Sequence, residues 1–215
     1  MSDTLVSPAA VGVPDHPLVR HHLAALRDAA TPPQLFRHLV NEISRVLFYE
    51  ATRDLKLKPA IVRTPMADAE CAVLAESIAL VPVLRAGLGM ANAMLEALPT
   101  ASVWHLGLYR DHRTLKPVTY YNKLPANHGL DVAFVLDPML ATGGSANEAI
   151  RILKAAGVPR IAFIGLIAAP EGVQALRETH PDVCAYLGAI DSKLNDLGYI
   201  VPGLGDAGDR QFGTM

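Results

Sequence analysis

Apolar residues along this chain change their spacing near residue 78. Before that point they recur every three or four positions, as Val19, Leu23, Leu26 and Ala30, and then as Leu35, Leu39, Ile43, Val46 and Leu47. Such spacing predicts two amphipathic helices with one face turned to a core. Asp15 is the expected N-cap of the first, with Pro17 tolerated in its first turn. Thr31-Pro32-Pro33-Gln34 reads as a capping box with proline at the first helical position, opening a longer helix that runs to about residue 54.

From residue 78 onward, short continuous apolar runs replace the helical stripe. Ile78-Ala79-Leu80-Val81-Pro82-Val83-Leu84 has the length and composition of a buried strand bounded by a glycine-containing turn. Residues 89–98 read as a helix, 102–109 as a strand, and 118–123 as an extended segment rich in Thr and Tyr. The pattern then repeats: strand over 132–136, helix over 144–156 ended by Gly157 and Pro159, strand over 160–168, helix over 170–179. Strands alternating with helices predict an α/β fold with a mainly parallel sheet covered on both faces, in which ligands bind beyond the carboxyl ends of the strands. Function is therefore expected in strand-to-helix loops.

Composition narrows the setting. A chain of 215 residues, 51% of them hydrophobic, can bury the core of one domain, here expected over 15–215 behind an arm at 1–14 that is expected to be mobile. A formal charge of -2 gives no general attraction for nucleic acid or anionic membrane, so any phosphate site has to be local. Cys71 and Cys184 form no metal-type pair and read as buried apolar thiols in a reducing cytoplasm. The first fourteen residues carry Asp3 and no long apolar core, unlike a secretion signal, and the run at 161–169 is far shorter than the roughly 20 residues of a membrane span.

The most informative stretch is Val135-Leu136-Asp137-Pro138-Met139-Leu140-Ala141-Thr142-Gly143-Gly144-Ser145. An apolar strand ends in an acid, and a loop of small residues feeds a helix. Unsatisfied N–H groups and the helix dipole make such a turn a site for anions, Gly143 and Gly144 let a phosphate come close, and Thr142 and Ser145 add hydroxyl donors. The plain structural reading is a tight turn with Ser145 as a helix cap. Asp137 weighs against it, because an acid beside a phosphate loop is unfavourable unless it meets ribose hydroxyls or a cation, which suggests a ribose phosphate with magnesium.

This stretch resembles the loop that binds 5-phosphoribosyl 1-diphosphate (PRPP) in type I phosphoribosyltransferases, in the form found in the uracil-specific branch. Further segments are similar to that family in the same order: His16-Pro17-Leu18-Val19, Tyr49-Glu50-Ala51, the run from Val81 through Arg85-Ala86-Gly87-Leu88-Gly89-Met90, Ala168-Ala169-Pro170-Glu171-Gly172, and Gly198-Tyr199-Ile200-Val201-Pro202-Gly203-Leu204-Gly205-Asp206-Ala207-Gly208-Asp209-Arg210. The resemblance implies a type I fold with N-terminal helices and a C-terminal base-binding segment, and conversion of uracil and PRPP to UMP and pyrophosphate in pyrimidine salvage. It places PRPP on Arg85, Arg110 and residues 137–145, with Asp206 near the ribose or its metal. It places the uracil edge on Ile200, Gly205, Asp206 and Ala207. Where many relatives outside this branch have two adjacent acids before the loop, Asp137 is followed by Pro138. Mg2+ is accordingly expected to be held chiefly by substrate, with Asp137 and Asp206 acting through water or PRPP. A homodimer or higher homo-oligomer is implied, and GTP is raised as an activator.

Residues 110–125, polar and containing Tyr120 and Tyr121, read either as an arm over PRPP or as a surface hairpin. The eight histidines show no metal-ligand spacing, Gly87-Leu88-Gly89 lacks the third glycine of a dinucleotide fingerprint, and no nucleoside triphosphatase loop is present. No residue is assigned as general base. The leading alternative is an RNA-binding or nucleotide-sensing pyrimidine regulator on the same fold, whose expected mark is a basic face. Transfer to orotate or a purine is disfavoured, since orotate wants an added cation where the C-terminal segment offers backbone and acids.

Overall fold

The structure is a computed structural model that describes residues 10–110, 117–125 and 129–214; the side chains of Arg110 and Pro117 lie outside that description. The described chain opens with β1 (Val11–Gly12), α1 (Pro17–Arg27) and α2 (Pro33–Ala51), followed by a hairpin of β2 (Leu57–Arg63) and β3 (Asp68–Leu74). Alternation begins with β4 (Ile78–Leu84), α3 (Leu88–Ala97), β5 (Ser102–Val103), β6 (Leu106–Arg110) and β7 (Pro117–Asn122). It continues through β8 (Val132–Leu136), β9 (Met139–Leu140), α4 (Gly144–Ala155), β10 (Arg160–Ala168), α5 (Pro170–Thr179) and β11 (Cys184–Ile190). The short β12 (Lys193–Leu194), β13 (Ile200–Val201) and α6 (Ala207–Phe212) close it.

The main sheet runs β1-β11-β10-β8-β4-β6-β7, with every pairing parallel except β6 with β7. Successive side chains on a strand point to opposite faces, so each central strand feeds two cores. Leu80, Phe134, Leu136 and Ile164 meet Phe36, Ile43 and Leu47 of α2 and Met90 and Met94 of α3. Val81, Val135 and Phe163 meet Ile150 and Leu153 of α4 and Val173 and Leu176 of α5. Strands buried on both faces read as continuous apolar runs, which is why β4, β8 and β10 stand where the sequence predicts them.

Several local expectations are corrected. His16, not Asp15, caps α1, its ring accepting from the Leu18 amide at 3.2 Å, and the helix stops at Arg27, short of Ala30. No capping box opens α2: Thr31 turns its hydroxyl back to the Ala25 carbonyl at 2.6 Å, leaving Pro32 as an N-cap without a side-chain bond. Leu35 faces solvent and Val46 is only partly buried. The strand expected over 102–109 is split into β5 and β6. Neither thiol is buried: Cys71 is exposed and Cys184 half-buried, and both are free. Of the N-terminal arm, residues 1–9 lie outside the described residues, while Val11 and Gly12 pair with Ala185 and Tyr186. Of the 110–125 segment, residues 111–116 lie outside, and the rest forms the antiparallel β6–β7 pair. Among the described residues no helix is long and apolar enough to cross a membrane.

Candidate active site

β8 carries Asp137 to the carboxyl edge of the sheet, and the chain then doubles along β10 as β9 before entering α4. Gly143 is the hinge of this turn. It sits at the α4 N-cap with φ of +80°, a left-handed conformation that side chains with a Cβ adopt at a cost, and its carbonyl accepts from the Asn147 amide at 2.8 Å. With no capping side chain there, the amides of Thr142, Gly143, Gly144 and Ser145 donate to no protein acceptor among the described residues. Free amides at the start of a 12-residue helix are a cradle for an anion.

A cavity of about 150 Å³ lies over this turn, lined by Asp137, residues 139–146 and, from the far side, Gly198. Gly198 belongs to the connection between β12 and β13, so the C-terminal segment reaches across to the 137–146 turn. The two stretches lie more than 50 residues apart, and the sequence links them only by resemblance.

Asp137 is the electrostatic anomaly of the site. Burial pushes its carboxyl up to about 6, the Met139 amide, donating at 3.1 Å, pulls it partly back, and the charge of Asp206 raises it again. An acid held so high in the ligand-free protein is poised for donors or a cation that a ligand would bring. Asp206 caps α6, its carboxylate accepting from the Asp209 amide at 2.9 Å, and it is exposed. Among the described residues no cluster of three or more His, Cys, Asp or Glu could hold a metal, so a cation here would draw its remaining ligands from substrate and water.

Arg85 follows β4 and is exposed, its guanidinium paired with Asp209 at 3.0 Å. The Thr214 hydroxyl, and then Arg85, hold the Asp209 carboxyl below its ordinary range. Exposed pairs of this kind contribute little, so Arg85 can leave Asp209 for a phosphate at little cost. The backbone of Arg110 ends β6 on the same edge of the sheet, next to β4; its side chain lies outside the described residues.

The C-terminal segment is ordered. Ile200 is buried in β13, Gly203 and Gly205 take positive φ, and Ala207 starts α6. The turn at 85–87 is tied to α6 by Gln211, whose Nε2 donates to the carbonyls of Ala86 at 2.9 Å and Ala207 at 3.0 Å. Arg85, Asp206 and Asp209 are thus linked to one another, and the charge of Asp206 is felt by Asp137 across from them.

Some supporting residues are marked in the sequence by the resemblance alone. The backbone of Gly172 in α5 lies so close to the loop that a Cβ there would sit 2.4 Å from the Ala141 carbonyl oxygen and 2.5 Å from that of Leu140. Its neighbour Glu171 accepts from the Leu194 amide at 3.0 Å, tying α5 to β12. The string Ala168-Ala169-Pro170-Glu171-Gly172 thus braces the 137–145 turn.

Residues 13–214 match the family model described as uracil phosphoribosyltransferase. Similar proteins include a uracil phosphoribosyltransferase of Roseiflexus sp., 63% identical over 206 residues that make up 96% of this chain and 99% of the relative. Another, of Dictyoglomus turgidum, is 58% identical over 203 residues, covering 94% and 98%. Among solved structures, a protein from Aquifex aeolicus superposes with a TM-score of 0.90 at 37% identity, covering 94% of this chain and 98% of that one. An adenine phosphoribosyl transferase from Trypanosoma brucei, at 12% identity and a TM-score of 0.56, covers 96% and 92% and shares the fold.

Proposed function

The chain belongs to the uracil phosphoribosyltransferase family, and from that premise we propose that it joins uracil N1 to the anomeric carbon of PRPP, releasing pyrophosphate and giving UMP. The observation that carries this reading at the level of the site is the cavity framed by the 137–146 turn and Gly198, with Asp137 at its edge, its carboxyl pushed up to about 6 by burial. A free-amide turn suits the phosphate of the ribose, and Asp137 suits the ribose hydroxyls, which would relieve its unfavourable burial.

In this reading Arg85 and Arg110 face the pyrophosphate, where planar guanidinium groups bind phosphate through paired hydrogen bonds. The C-terminal segment offers Ile200, Gly205 and Ala207 backbone to the alternating donors and acceptors of uracil, with Asp206 between base and ribose. A base with the opposite pattern would leave those groups unpaired, which is how such a site rejects it. As the glycosidic bond breaks, positive charge gathers on the ribose ring and negative charge on the leaving group. The carboxylates of Asp137 and Asp206 favour the first, and the arginines favour the second. Positioning replaces covalent catalysis; the N1 proton passes to water as the new bond forms, and no side chain is assigned as general base. The oxygen donors of Asp137 and Asp206 fit Mg2+ through water or PRPP; bound there, it would neutralise charge on the pyrophosphate.

The proposal is tested by incubating the purified protein with uracil, PRPP and Mg2+. UMP and pyrophosphate should accumulate in equal amounts and stop on addition of chelator, while no UMP would reject the reading. Running the assay with and without GTP decides whether GTP activates. The RNA-binding alternative draws no support from these relatives.

We also propose that the protein works as a homo-oligomer through the β2–β3 hairpin. This ribbon pairs with no other strand among the described residues, and it exposes Leu57, Ile61, Val62, Met66 and Val73, with Ile61 76% and Met66 91% accessible. Isolated two-stranded ribbons are marginal in water, and a second copy of the chain covering this one would supply the missing apolar contact. Ile61→Asp should shift the sedimenting species toward monomer without unfolding the core. A wild-type protein that sediments as a monomer, or an Ile61→Asp variant with unchanged mass, would contradict this.

A further inference from the structure

We infer that the ion pair of Arg27 and Asp191, its carboxylate buried and its guanidinium partly exposed, is a positioning device for uracil, setting the backbone of the base-binding segment; this rests on the base assignment above. Arg27 stands in the last turn of α1, and Asp191 follows β11, 164 residues away. The guanidinium and carboxylate meet fork on fork, Nη1 to Oδ2 at 2.7 Å and Nη2 to Oδ1 at 2.5 Å. Arg27 Nη1 also donates to the carbonyl of Gly203 at 2.8 Å, while Asp191 Oδ2 accepts from the amide of the same residue at 2.8 Å. Both polar backbone groups of one glycine are thus clamped by one pair of opposite charges.

The clamped residue is well placed to govern the base. Gly203 has φ of +66°, and a Cβ on it would lie 2.1 Å from the carbonyl oxygen of Ile200, so the chain turns sharply between two residues assigned to uracil, Ile200 and Gly205. The next residue is fixed in the same way: Arg210 donates to the carbonyls of Leu204 and Leu26 at 2.7 Å each and to that of Asp28, with its guanidinium 4.5 Å from the centre of the Phe36 ring. The end of α1 therefore holds Gly203 directly, through Arg27, and Leu204 through Arg210 of α6. On the other side Asp191, whose side chain is 4% exposed, is anchored by its own amide to the Ala168 carbonyl at 2.7 Å.

A pair whose only role is to hold elements together can be exchanged for apolar residues with little loss. A pair that also binds the backbone beside a ligand cannot, because its hydrogen bonds define where the ligand's partners stand. The two roles differ in kinetics. A structural pair would alter stability and leave the balance of the two substrates unchanged, whereas a positioning pair would weaken uracil selectively and leave the phosphate loop intact.

The experiment measures KM for uracil and for PRPP separately in wild type, Arg27→Gln and Arg27→Lys, with circular dichroism as the check on folding. For Arg27→Gln the uracil KM should rise about tenfold, the scale of one strong hydrogen bond, while the PRPP KM changes by less than about twofold. Arg27→Lys, which keeps the charge but only one of the paired contacts, should fall between. Equal changes in both KM values, or no change in either, would overturn the inference. Should Arg27→Gln fail to fold, Arg27→Lys decides: a selective rise in uracil KM upholds the inference, and its absence rejects it. A wild-type protein that makes no UMP from uracil would remove the base assignment and the inference together, whereas an active wild type with unaffected variants would remove the inference alone.

Discussion

Replacing Asp137 by Asn is expected to lower turnover by about 100-fold and, at pH 8, to make the ligand-free protein more stable. Both effects come from one placement. The carboxyl stands at the end of a buried strand, where burial and the nearby Asp206 push it from 3.8 to about 6, with only the Met139 amide as a compensating donor. An acid whose folded value is raised costs stability above the folded value, and the cost disappears as pH falls below the unfolded one. Above about pH 6 the charge is carried at a penalty, so the Asn variant gains there, by at most about 3 kcal/mol. As pH falls toward 4 the wild type takes up its proton and the two proteins should converge. Thermal melts at pH 8 and pH 4, set beside steady-state rates, check both halves. An Asn variant that is active, or that is less stable at pH 8, would mean that Asp137 does not face the ligand in the way proposed.

Gly172→Ala should be nearly as damaging, although residue 172 touches no ligand in the proposed site. Its Cβ would fall 2.4 Å from one loop carbonyl oxygen and 2.5 Å from another, and because both are backbone atoms the loop itself has to move. Displacing a phosphate cradle by about 1 Å can cost on the order of 100-fold in rate. Overpacking at such a site costs roughly 1 to 3 kcal/mol, so the melting temperature should fall only modestly while the activity loss is large. The loss should appear chiefly in the PRPP dependence, in contrast to the Arg27 variants. Rates within twofold of wild type would show that the loop is not braced by α5.

The two predictions rest on parts of the molecule that were unequally legible in the sequence. Asp137 and the glycines after it announce themselves, because an acid, small residues and a helix start occur in a run of nine. β4, β8 and β10 were equally plain, being apolar on both faces. Gly172 was marked only by resemblance, since nothing in a local string tells which carbonyl a glycine will meet. Arg27 and Asp191 were invisible for the same reason: a pair separated by 164 residues leaves no trace in spacing or composition.

Other misreadings have local causes. Thr31 and Gln34 have the spacing of a capping box, yet the Thr31 hydroxyl found the Ala25 carbonyl first, so tertiary geometry overrode the string. The β2–β3 hairpin was passed over because its apolar residues do not alternate toward one buried face. Leu57, Ile61 and Val62 are all exposed, which is the pattern of a ribbon awaiting a partner more than that of a sheet on its own core. Residue type alone predicts core thiols, but Cys71 lies on that same exposed ribbon.

The account as a whole is tested most directly by offering the purified protein PRPP and Mg2+ with an equimolar mixture of uracil, orotate, cytosine and hypoxanthine, and identifying the nucleotides formed. UMP alone is the predicted product: cytosine and hypoxanthine present a different pattern of donors and acceptors to the proposed base segment, and the orotate carboxylate would find no added cation there. A different nucleotide, or several in comparable amounts, would contradict the assignment of that segment, and no nucleotide at all would contradict the assignment of the site.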